Sequence, residues 1–304
     1  MCVLGELAAF GTSVSWTVGA LVMESAVRRV GVMAVNVFKV SFGIVYLCLL
    51  AFALSGRPFP LDVSFGSWGL LSLSSLFGFV IGDYFLFTAY ALVGSRIAML
   101  LMSSSVPLTA LGAYLLFGET LGPWSALGMA LSVAGIGLTV ASGGGSAGER
   151  RSRLRSAEAS VAYVKGVVFG LLSGLCMAIA TLFTKKGAAG VDPLAATQIR
   201  ILCALVGFLA FSCLTGKSRE VTAALRDRRA MILMALGGVF GPFVGVGLLL
   251  FAIQNAGAGI VSTLSSFAPV LIIPPSILIY KRRVALGEML GAAIAVAGLA
   301  ILFI

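Results

Sequence analysis

Charged residues are scarce in this chain of 304 residues. Asp, Glu, Lys and Arg together make up 11% of the sequence, whereas hydrophobic residues make up 60%. A soluble globular protein contains about 25% charged residues, because water must solvate its surface. Several apolar runs also exceed the roughly 18 residues that are needed to cross the hydrocarbon core of a bilayer. The composition therefore excludes a soluble domain and predicts an all-α membrane protein that crosses the bilayer several times.

Histidine is absent, and the five cysteines show no metal-binding spacing. Most of these cysteines lie within apolar runs, where a thiol behaves as a small buried hydrophobic group. The sequence has no Walker A phosphate loop, so ATP does not drive this chain directly. It also has no paired carboxylates that suit hydrolysis. We therefore predict that the protein is not an enzyme, has no catalytic residue and holds no metal or other cofactor. A membrane-embedded enzyme stays an open alternative.

Ten apolar runs are long enough to be membrane-spanning helices. Their bounds are 4–25, 32–55, 67–92, 97–117, 122–141, 163–184, 194–215, 231–255, 258–280 and 286–304. Between the fifth and the sixth run lies the stretch 142–162, which begins with Ser and Gly and continues with a basic cluster. Such a composition is typical of a solvated, flexible linker. The chain therefore divides into a first unit over 1–141, a basic linker over 142–162 and a second unit over 163–304.

The two units repeat one sequence pattern. "AYALVGSRIAMLLMSSSVP" at 89–107 and "AIQNAGAGIVSTLSSFAP" at 252–269 share an Ala, a Gly five residues later, paired serines and a final Pro. A shift of 161 to 163 residues pairs Lys39 with Arg200, Gly78 with Gly241, Gly82 with Gly245, Pro107 with Pro269, Gly128 with Gly291 and Gly135 with Gly298. Two units with an odd number of helices must enter the membrane in opposite orientations. The sequence thus predicts two inverted five-helix repeats, which are typical of secondary transporters that open a central site to each side in turn.

The region 89–138 resembles the end of an EamA domain of the drug/metabolite transporter superfamily. The shared features are the Ala91-Leu92 pair, a Ser-rich helix, Pro107, the Gly118-Glu119 pair and the G-x6-G spacing of Gly128 and Gly135. The region 252–299 is similar, although "YKRR" at 280–283 stands where the first unit has the Gly-Glu pair. The resemblance implies a ten-helix secondary carrier or exporter of small metabolites, often amino acids. It indicates neither the individual substrate nor the coupling ion.

We expect the transporter to act as a monomer whose partners are a small-molecule substrate and the lipid bilayer. A non-transporting scaffold or sensor is the other alternative. The net charge of +10 does not indicate a nucleic-acid partner, because the basic residues form short clusters between apolar runs.

The basic residues are distributed unequally between the two sides. Loops after odd-numbered runs carry sixteen Lys and Arg residues, and loops on the opposite side carry three, Arg57, Lys185 and Lys186. The positive-inside rule therefore predicts that the linker is cytoplasmic and that both termini are extracytoplasmic, in the cell membrane of the organism. The family resemblance implies cytoplasmic termini instead, so the two arguments disagree.

Polar and aromatic residues inside the apolar runs are candidates for lining a cavity. The substrate-binding candidates are Trp16, Asp83, Tyr84, Thr88, Tyr90, Ser103, Ser104, Gln254, Asn255, Ser265 and Ser266. Trp and Tyr offer a flat apolar face with one polar group, which suits small amphipathic metabolites. Ser and Thr hydroxyls can instead donate to carbonyl groups of their own helix, so not every member of this set has to contact substrate.

Three ionisable residues lie well inside apolar runs, where a charge is unfavourable by roughly 2.5–3.5 kcal/mol at the centre of the membrane. Lys39 and Arg200 are matched in the repeat, which favours a shared role such as gating, although both side chains are long enough to reach the headgroups. Asp83 has Val246 as its counterpart, which favours substrate binding or proton coupling in one unit only. We predict that Asp83 and Lys39 form an ion pair.

Residues that shape the helices form a further group. The matched Pro107 and Pro269 are gating candidates, because each proline bends its helix. The 38 glycines are concentrated in the apolar runs, where they favour close helix packing, with bending during gating as the alternative. Glu24, Lys185 and Lys186 stand near the ends of runs, and we expect them at the membrane interface.

Overall fold

The computed structural model describes residues 2–60, 62–118, 122–142, 157–255, 261, 264, 267–280 and 285–302. All regular secondary structure within these ranges is helical. Seven helical segments in the described ranges are long and apolar enough to cross a membrane. They are Val3–Val30, Val32–Ser55, Phe65–Val93, Ser95–Phe117, Pro123–Ala141, Glu158–Gly187 and Pro193–Leu214. The protein is therefore a multi-pass membrane protein, and these segments correspond to the first seven predicted spans.

The first half begins with two long helices and continues with shorter ones. They are α1 (Cys2–Val30), α2 (Val32–Ser55), α3 (Phe65–Ser75), α4 (Tyr84–Val93), α5 (Ser95–Met102), α6 (Ser105–Phe117) and α7 (Pro123–Ala141). A π-helical segment, Leu76–Asp83, joins α3 to α4 without a break. The Ser64 hydroxyl caps α3 by accepting a hydrogen bond from the Ser67 N–H at 3.2 Å. Gly56 and Gly118 end α2 and α6 in the left-handed conformation that favours glycine.

The second half has a similar order of elements, with one additional short helix, Ser218–Ala224. Its helices are α8 (Ala157–Gly187), α9 (Pro193–Leu214), α10 (Ser218–Ala224), α11 (Arg228–Gly238), α12 (Val244–Asn255), α13 (Ala268–Leu271), α14 (Ile273–Tyr280) and α15 (Leu286–Leu302). A second π-helical segment, Val239–Phe243, joins α11 to α12. Asp192 caps α9 by accepting a hydrogen bond from the Ala195 N–H at 3.0 Å, and Pro193 occupies the first turn.

The structure differs from the predicted organisation at the start of the sixth span. Helix α8 begins at Ala157, inside the predicted linker 142–162, because alanine and an acidic first turn favour a helix there. Residues 143–156 of that linker lie outside the described ranges. The last three predicted spans are not confirmed, since none of their described helices is both long and apolar enough to cross a membrane. The structure thus supports an all-helical membrane fold, and the number of ten helices stays a prediction.

The fourth predicted span is interrupted between α5 and α6. The chain turns at Ser103 and Ser104, and Pro107 follows in the first turn of α6. Proline has no N–H to donate to the carbonyl group four residues earlier. The Ser103 oxygen accepts from the Val106 N–H instead, at 3.1 Å. The regular α-helix is therefore interrupted just before Pro107, and the bend predicted there stays a prediction. Pro269 lies in the first turn of α13, and its matched bend stays a prediction because residues 265 and 266 lie outside the described ranges.

Helices of the two halves pack against each other in matched pairs. Helix α1 packs against α11 and α12, and its counterpart α8 packs against α3 and α4. Helix α2 packs against its counterpart α9, and α7 packs against its counterpart α15. The contacts that one half makes thus recur, with the roles exchanged, in the other half. This pattern is what the packing of a duplicated unit against its copy produces.

The contact between α7 and α15 brings two helix backbones together. A Cβ atom on Gly135 would lie 2.3 Å from the Ala295 nitrogen, and a Cβ atom on Gly298 would lie 2.4 Å from the Ser132 nitrogen. Approaches this short leave no space for a side chain. Small residues allow membrane helices to approach closely, so the repeated glycines of these two helices are packing residues.

Gly135→Ala is expected to lower the stability of the protein by about 1–3 kcal/mol, because the added methyl group forces α7 and α15 apart. Gly137→Ala is the matched control: it lies on the same helix, is exposed, and has no atom within 4 Å of the position of its Cβ. The control is expected to be as stable as the parent or slightly more stable. Thermal unfolding of both variants in detergent measures the difference, and equal losses would rule out the backbone contact as the cause.

Candidate functional site

Two π-helical segments occupy matched positions in the repeat. Leu76–Asp83 lies in the third span and Val239–Phe243 lies in the eighth, and their first residues are separated by 163 positions, the shift of the repeat. π-Helical turns are rare and occur mostly at functional sites. The apolar pattern of these segments fits an ordinary α-helix equally well, so the sequence alone did not predict them.

Matched glycines allow these wider turns. A Cβ atom on Gly82 would lie 2.9 Å from the Phe77 oxygen, and a Cβ atom on Gly245 would lie 3.1 Å from the Phe240 oxygen. The Phe240 oxygen also accepts a hydrogen bond from the Ser15 hydroxyl of α1, at 2.6 Å. In both halves, a glycine five residues after a phenylalanine therefore provides the space that the turn needs.

A buried ion pair lies at the end of the first π-helical segment. Lys39 Nζ, from α2, lies 2.5 Å from Asp83 Oδ2, and the two side chains are 14% and 7% exposed. The ammonium group also lies 4.7 Å from the ring centre of Phe87 and 5.7 Å from that of Phe79, within the range of cation–π attraction. The contact that the sequence predicts between Lys39 and Asp83 is therefore present. Its function stays a proposal.

Arg200 reaches the same place from α9. Its guanidinium carbon lies 4.9 Å from the ring centre of Phe79, the ring that Lys39 also approaches. The Arg200 Nε atom is buried and has no hydrogen-bond partner among the described residues. The two basic residues that the repeat matches therefore converge on the first half's third span. The gating role that the sequence predicts for Lys39 and Arg200 stays a prediction.

Lys217 is a third cation at this place, and sequence analysis missed it. Gly216 takes a positive φ of 68° after α9 and turns the chain back. Lys217 Nζ then donates a hydrogen bond to the Tyr84 hydroxyl at 3.2 Å. Tyr84 also meets the ring of Phe211 edge to face, with 5.2 Å between centres. A sequence signal that could have found it is the recurrence of Gly56-Arg57 as Gly216-Lys217, which by itself indicates only a loop charge.

Other predicted substrate contacts lie farther from this cluster or use their polar groups locally. The Thr88 hydroxyl donates to the backbone carbonyl oxygen of Tyr84 at 2.7 Å, and Asn255 Nδ2 donates to the backbone carbonyl oxygen of Phe251 at 2.8 Å, each within its own helix. Tyr90 is buried with its ring 5.2 Å from that of Phe87, so it borders the cluster.

The remaining candidates occupy helix contacts. Trp16 is half-buried and lies against the backbone at Gly245, whose Cβ position would be 2.5 Å from the Trp16 Nε1 atom. The Ser103 hydroxyl donates to the Leu100 oxygen at 2.6 Å, and Ser104 is buried against α8. The side chain of Gln254 and the whole of Ser265 and Ser266 lie outside the described residues.

A second charged cluster joins the ends of three helices. The Glu24 carboxylate is 2% exposed and accepts hydrogen bonds from the Ser95 N–H at 2.8 Å and the Ser95 hydroxyl at 2.5 Å. It also pairs with Arg28 at 2.8 Å. Gly94, with φ 84°, makes the sharp turn that brings Ser95 to this carboxylate. Glu24 thus caps α5 inside the protein, and its predicted position at the membrane interface stays a prediction. Lys185 and Lys186 are exposed, as expected.

The second cluster connects the two halves. Arg96 Nε, in α5, lies 2.6 Å from Glu288 Oε1, in the first turn of α15, and the two side chains are 8% and 2% exposed. Nearby, Arg29 pairs with the more exposed Asp227 at 2.9 Å. A hydrogen bond from the Ala230 N–H and the positive charge of Arg29 hold the pKa of Asp227 below its usual value. We call the residues Glu24, Arg28, Ser95, Arg96 and Glu288 the linker-side network, because they lie at the end of the molecule where the linker leaves α7.

Comparison with known proteins identifies the fold and the family. The family model described as "EamA-like transporter family" matches residues 3–141 and 164–304. The chain belongs to the EamA-like transporter family. It is therefore a membrane transporter of the drug/metabolite transporter superfamily, as the sequence resemblance implies.

Comparisons with curated proteins and with solved structures say less about this chain than the family match does. Comparison with curated proteins gives no match. A protein of known crystal structure is 19% identical to this EamA-like transporter, with a TM-score of 0.65 over 98% of this chain and 94% of that chain. At that identity, the likeness shows a shared fold alone. Within the described part of the chain, no three Cys, Asp or Glu side chains lie close enough together to hold a metal ion.

Glu288→Gln is expected to destabilise this EamA-like transporter by roughly 3–5 kcal/mol, because it removes the charge that compensates a buried guanidinium group. Asp227→Asn is the matched control, since it alters an exposed pair and asparagine preserves the helix cap. The control is expected to lose much less stability. Thermal unfolding in detergent compares the two variants, and similar losses would mean that burial does not govern the strength of the linker-side network.

Proposed function

We propose that this protein is a secondary transporter of the cell membrane that exports small metabolites, such as amino acids, by alternating access. In this proposal ten transmembrane helices form two inverted five-helix repeats, and a monomer in the bilayer binds one small-molecule substrate at a time. The class of substrate and the direction of transport are supported by the family resemblance. The mechanism is supported by the contacts of the described residues.

The observation that carries the proposal is the buried Lys39–Asp83 pair at the first π-helical segment. A buried ion pair is only weakly stabilising, but a single buried charge without its partner is strongly unfavourable. A proton on Asp83 or a substrate beside Lys39 would therefore break the pair and change the packing of α2 against the third span. The position in the second half that matches Asp83 is Val246. The two halves therefore share one carboxylate as the proposed coupling group.

The linker-side network supports alternating access. It ties α1, α5 and α15 together at one end of the molecule. The repeat-related positions of Arg96 and Glu288 at the shift of 163 residues are Gly259 and Ser125, which carry no charge. The Arg96–Glu288 pair therefore has no charged equivalent at its matched positions. We infer that the network closes the linker side and that it opens when substrate passes to or from that side.

A scaffold, a sensor and a membrane enzyme are the alternatives. The buried cationic cluster gives none of them the direct physical role that it gives a transporter, namely the recognition of a solute away from bulk water. Exchange of labelled solute across a membrane would distinguish a transporter from all three.

Counterflow in reconstituted vesicles tests the proposal. The protein is expected to exchange at least one member of a panel of radiolabelled metabolites faster than protein-free vesicles do, and to respond to a proton gradient. Asp83→Asn is expected to abolish the pH dependence, because the proton and Lys39 no longer compete for a carboxylate. Asp62→Asn, which alters an exposed pair with Arg57, is the matched control and is expected to behave like the parent.

Two outcomes would contradict the proposal. Absence of exchange for every solute under every gradient would exclude transport. Unchanged pH dependence in Asp83→Asn would exclude Asp83 as the coupling group. Lys39→Ala is expected to be partly rescued by the additional change Asp83→Asn, because the double variant leaves no uncompensated carboxylate in the protein.

The orientation follows from the basic residues, and we propose a cytoplasmic linker with extracytoplasmic termini. A cysteine added after Ile304 is expected to react with an impermeant maleimide in intact cells, whereas Ser152→Cys in the linker is expected to react only after lysis. The parent chain gives the background from its native thiols. The reverse pattern would mean that the cytoplasmic termini implied by the family resemblance are correct.

A further inference from the structure

The central cluster has more positive than negative charge. Lys39, Arg200 and Lys217 all approach residues 79–84 of the third span, whereas Asp83 is the carboxylate that pairs with one of them. The other buried carboxylates of the described chain, Glu24 and Glu288, belong to the linker-side network. Neither Arg200 nor Lys217 forms a salt bridge with any described residue. The cluster therefore has about two uncompensated cations.

Arg200 and Lys217 are half-buried, and the buried part of Arg200 makes the surplus unfavourable in the absence of a ligand. The Arg200 Nε atom is removed from solvent and has no hydrogen-bond partner in the described part of the chain. A buried donor on a charged group without a partner destabilises a protein, and an isolated buried charge does so more strongly. Cation–π contacts with Phe79 and Tyr84 offset only part of this effect, since each is worth about 0.5–2 kcal/mol.

The surplus is specific to one half of the repeat. At the shift of 163 residues, the counterparts of Phe79, Asp83, Tyr84 and Phe87 are Pro242, Val246, Gly247 and Leu250. The second half retains the π-helical turn but has neither the aromatic rings nor the polar groups. The basic residue of the second half, Arg200, instead extends to the first half's third span. Both halves thus contribute cations to a single place.

We propose that this cluster binds the anionic group of the substrate, and that the substrate is a small organic anion with a carboxylate or phosphate group. The inference rests on the proposed transport function and narrows its substrate class. The Arg200 guanidinium would donate from Nε, and the ammonium groups of Lys39 and Lys217 would supply further charge-assisted hydrogen bonds. The rings of Phe79, Phe87 and Tyr84 would contact the apolar body of the anion. A zwitterion without net charge would leave the surplus in place, so among amino acids the acidic ones fit better.

The proposal predicts that substitutions of Asp83 and of Arg200 have opposite effects on the affinity for anions. Asp83→Asn releases Lys39 from its ion pair and is expected to tighten the binding of anions. Arg200→Gln removes a donor and a charge and is expected to weaken it by at least about tenfold, the effect of losing a hydrogen bond to a charged group. Arg200→Lys keeps the charge and is expected to restore part of the affinity. Arg226→Gln removes an exposed positive charge from the loop before α11 and is the matched control, with no expected effect.

Binding of four probes of one size to the purified protein tests the proposal. Labelled benzoate, phenyl phosphate, benzamide and benzylamine differ mainly in charge, and equilibrium dialysis in nanodiscs of phosphatidylcholine measures their affinities. Benzoate or phenyl phosphate is expected to bind at least about tenfold more tightly than benzamide, with benzylamine the weakest. A second set of nanodiscs containing phosphatidylglycerol tests whether an anionic lipid headgroup occupies the same cluster.

Several results would overturn the proposal. They are equal or tighter binding of benzamide or benzylamine, no binding of any probe, loss of benzoate binding in the phosphatidylglycerol nanodiscs, or an equal effect of Arg200→Gln and Arg226→Gln. Lys217→Gln replaces Arg200→Gln if the latter does not fold, and it is also expected to weaken the binding of anions.

Exchange of neutral or cationic metabolites in counterflow, with no anion selectivity in dialysis, would refute this inference and leave the transport function intact. Failure of all exchange would refute the function itself.

Discussion

The ion pair between Lys39 and Asp83 sets the conditions for the rest of the site. A carboxylate in the membrane-spanning part of a protein is tolerated only with a partner, and here the partner comes from a different helix. The pair therefore fixes the position of α2 relative to the third span. The π-helical turn that ends at Asp83 also brings the neighbouring rings of Phe79 and Tyr84 to the cations from α9 and its following turn.

Duplication preserved the backbone of the two halves and changed their chemistry. Both halves keep a π-helical turn, the glycine that permits it and the close glycine contact of α7 with α15. Only the first half has the acid, and the second half has no aromatic ring at the positions matched to Phe79, Tyr84 and Phe87. The matched bases Lys39 and Arg200 both lie at the turn of the first half.

Sequence reasoning succeeded where the determining forces are local or are repeated. Apolar length predicted the first seven spans, the repeated glycines predicted close packing, and the lone buried acid predicted its pairing with Lys39. Contacts set by the tertiary fold were not predictable. Glu24 meets Ser95 across 71 residues and Arg96 meets Glu288 across 192, and no periodicity links such positions. The π-helical turns were not predicted from the sequence, because their apolar pattern also suits an α-helix.

The two kinds of contact between the halves respond differently to water. Charges of the linker-side network lose solvation when they are buried and regain it when the protein opens, so the free energies of the closed and hydrated forms differ little. The contact of α7 with α15 consists of backbone against backbone, as at Gly135, and water offers nothing that replaces its packing. Under the proposed alternating access, the charged contact would open and close, whereas the glycine contact would hold the halves together throughout. Such a transporter needs this combination, because one part of the interface must separate while another stays in place.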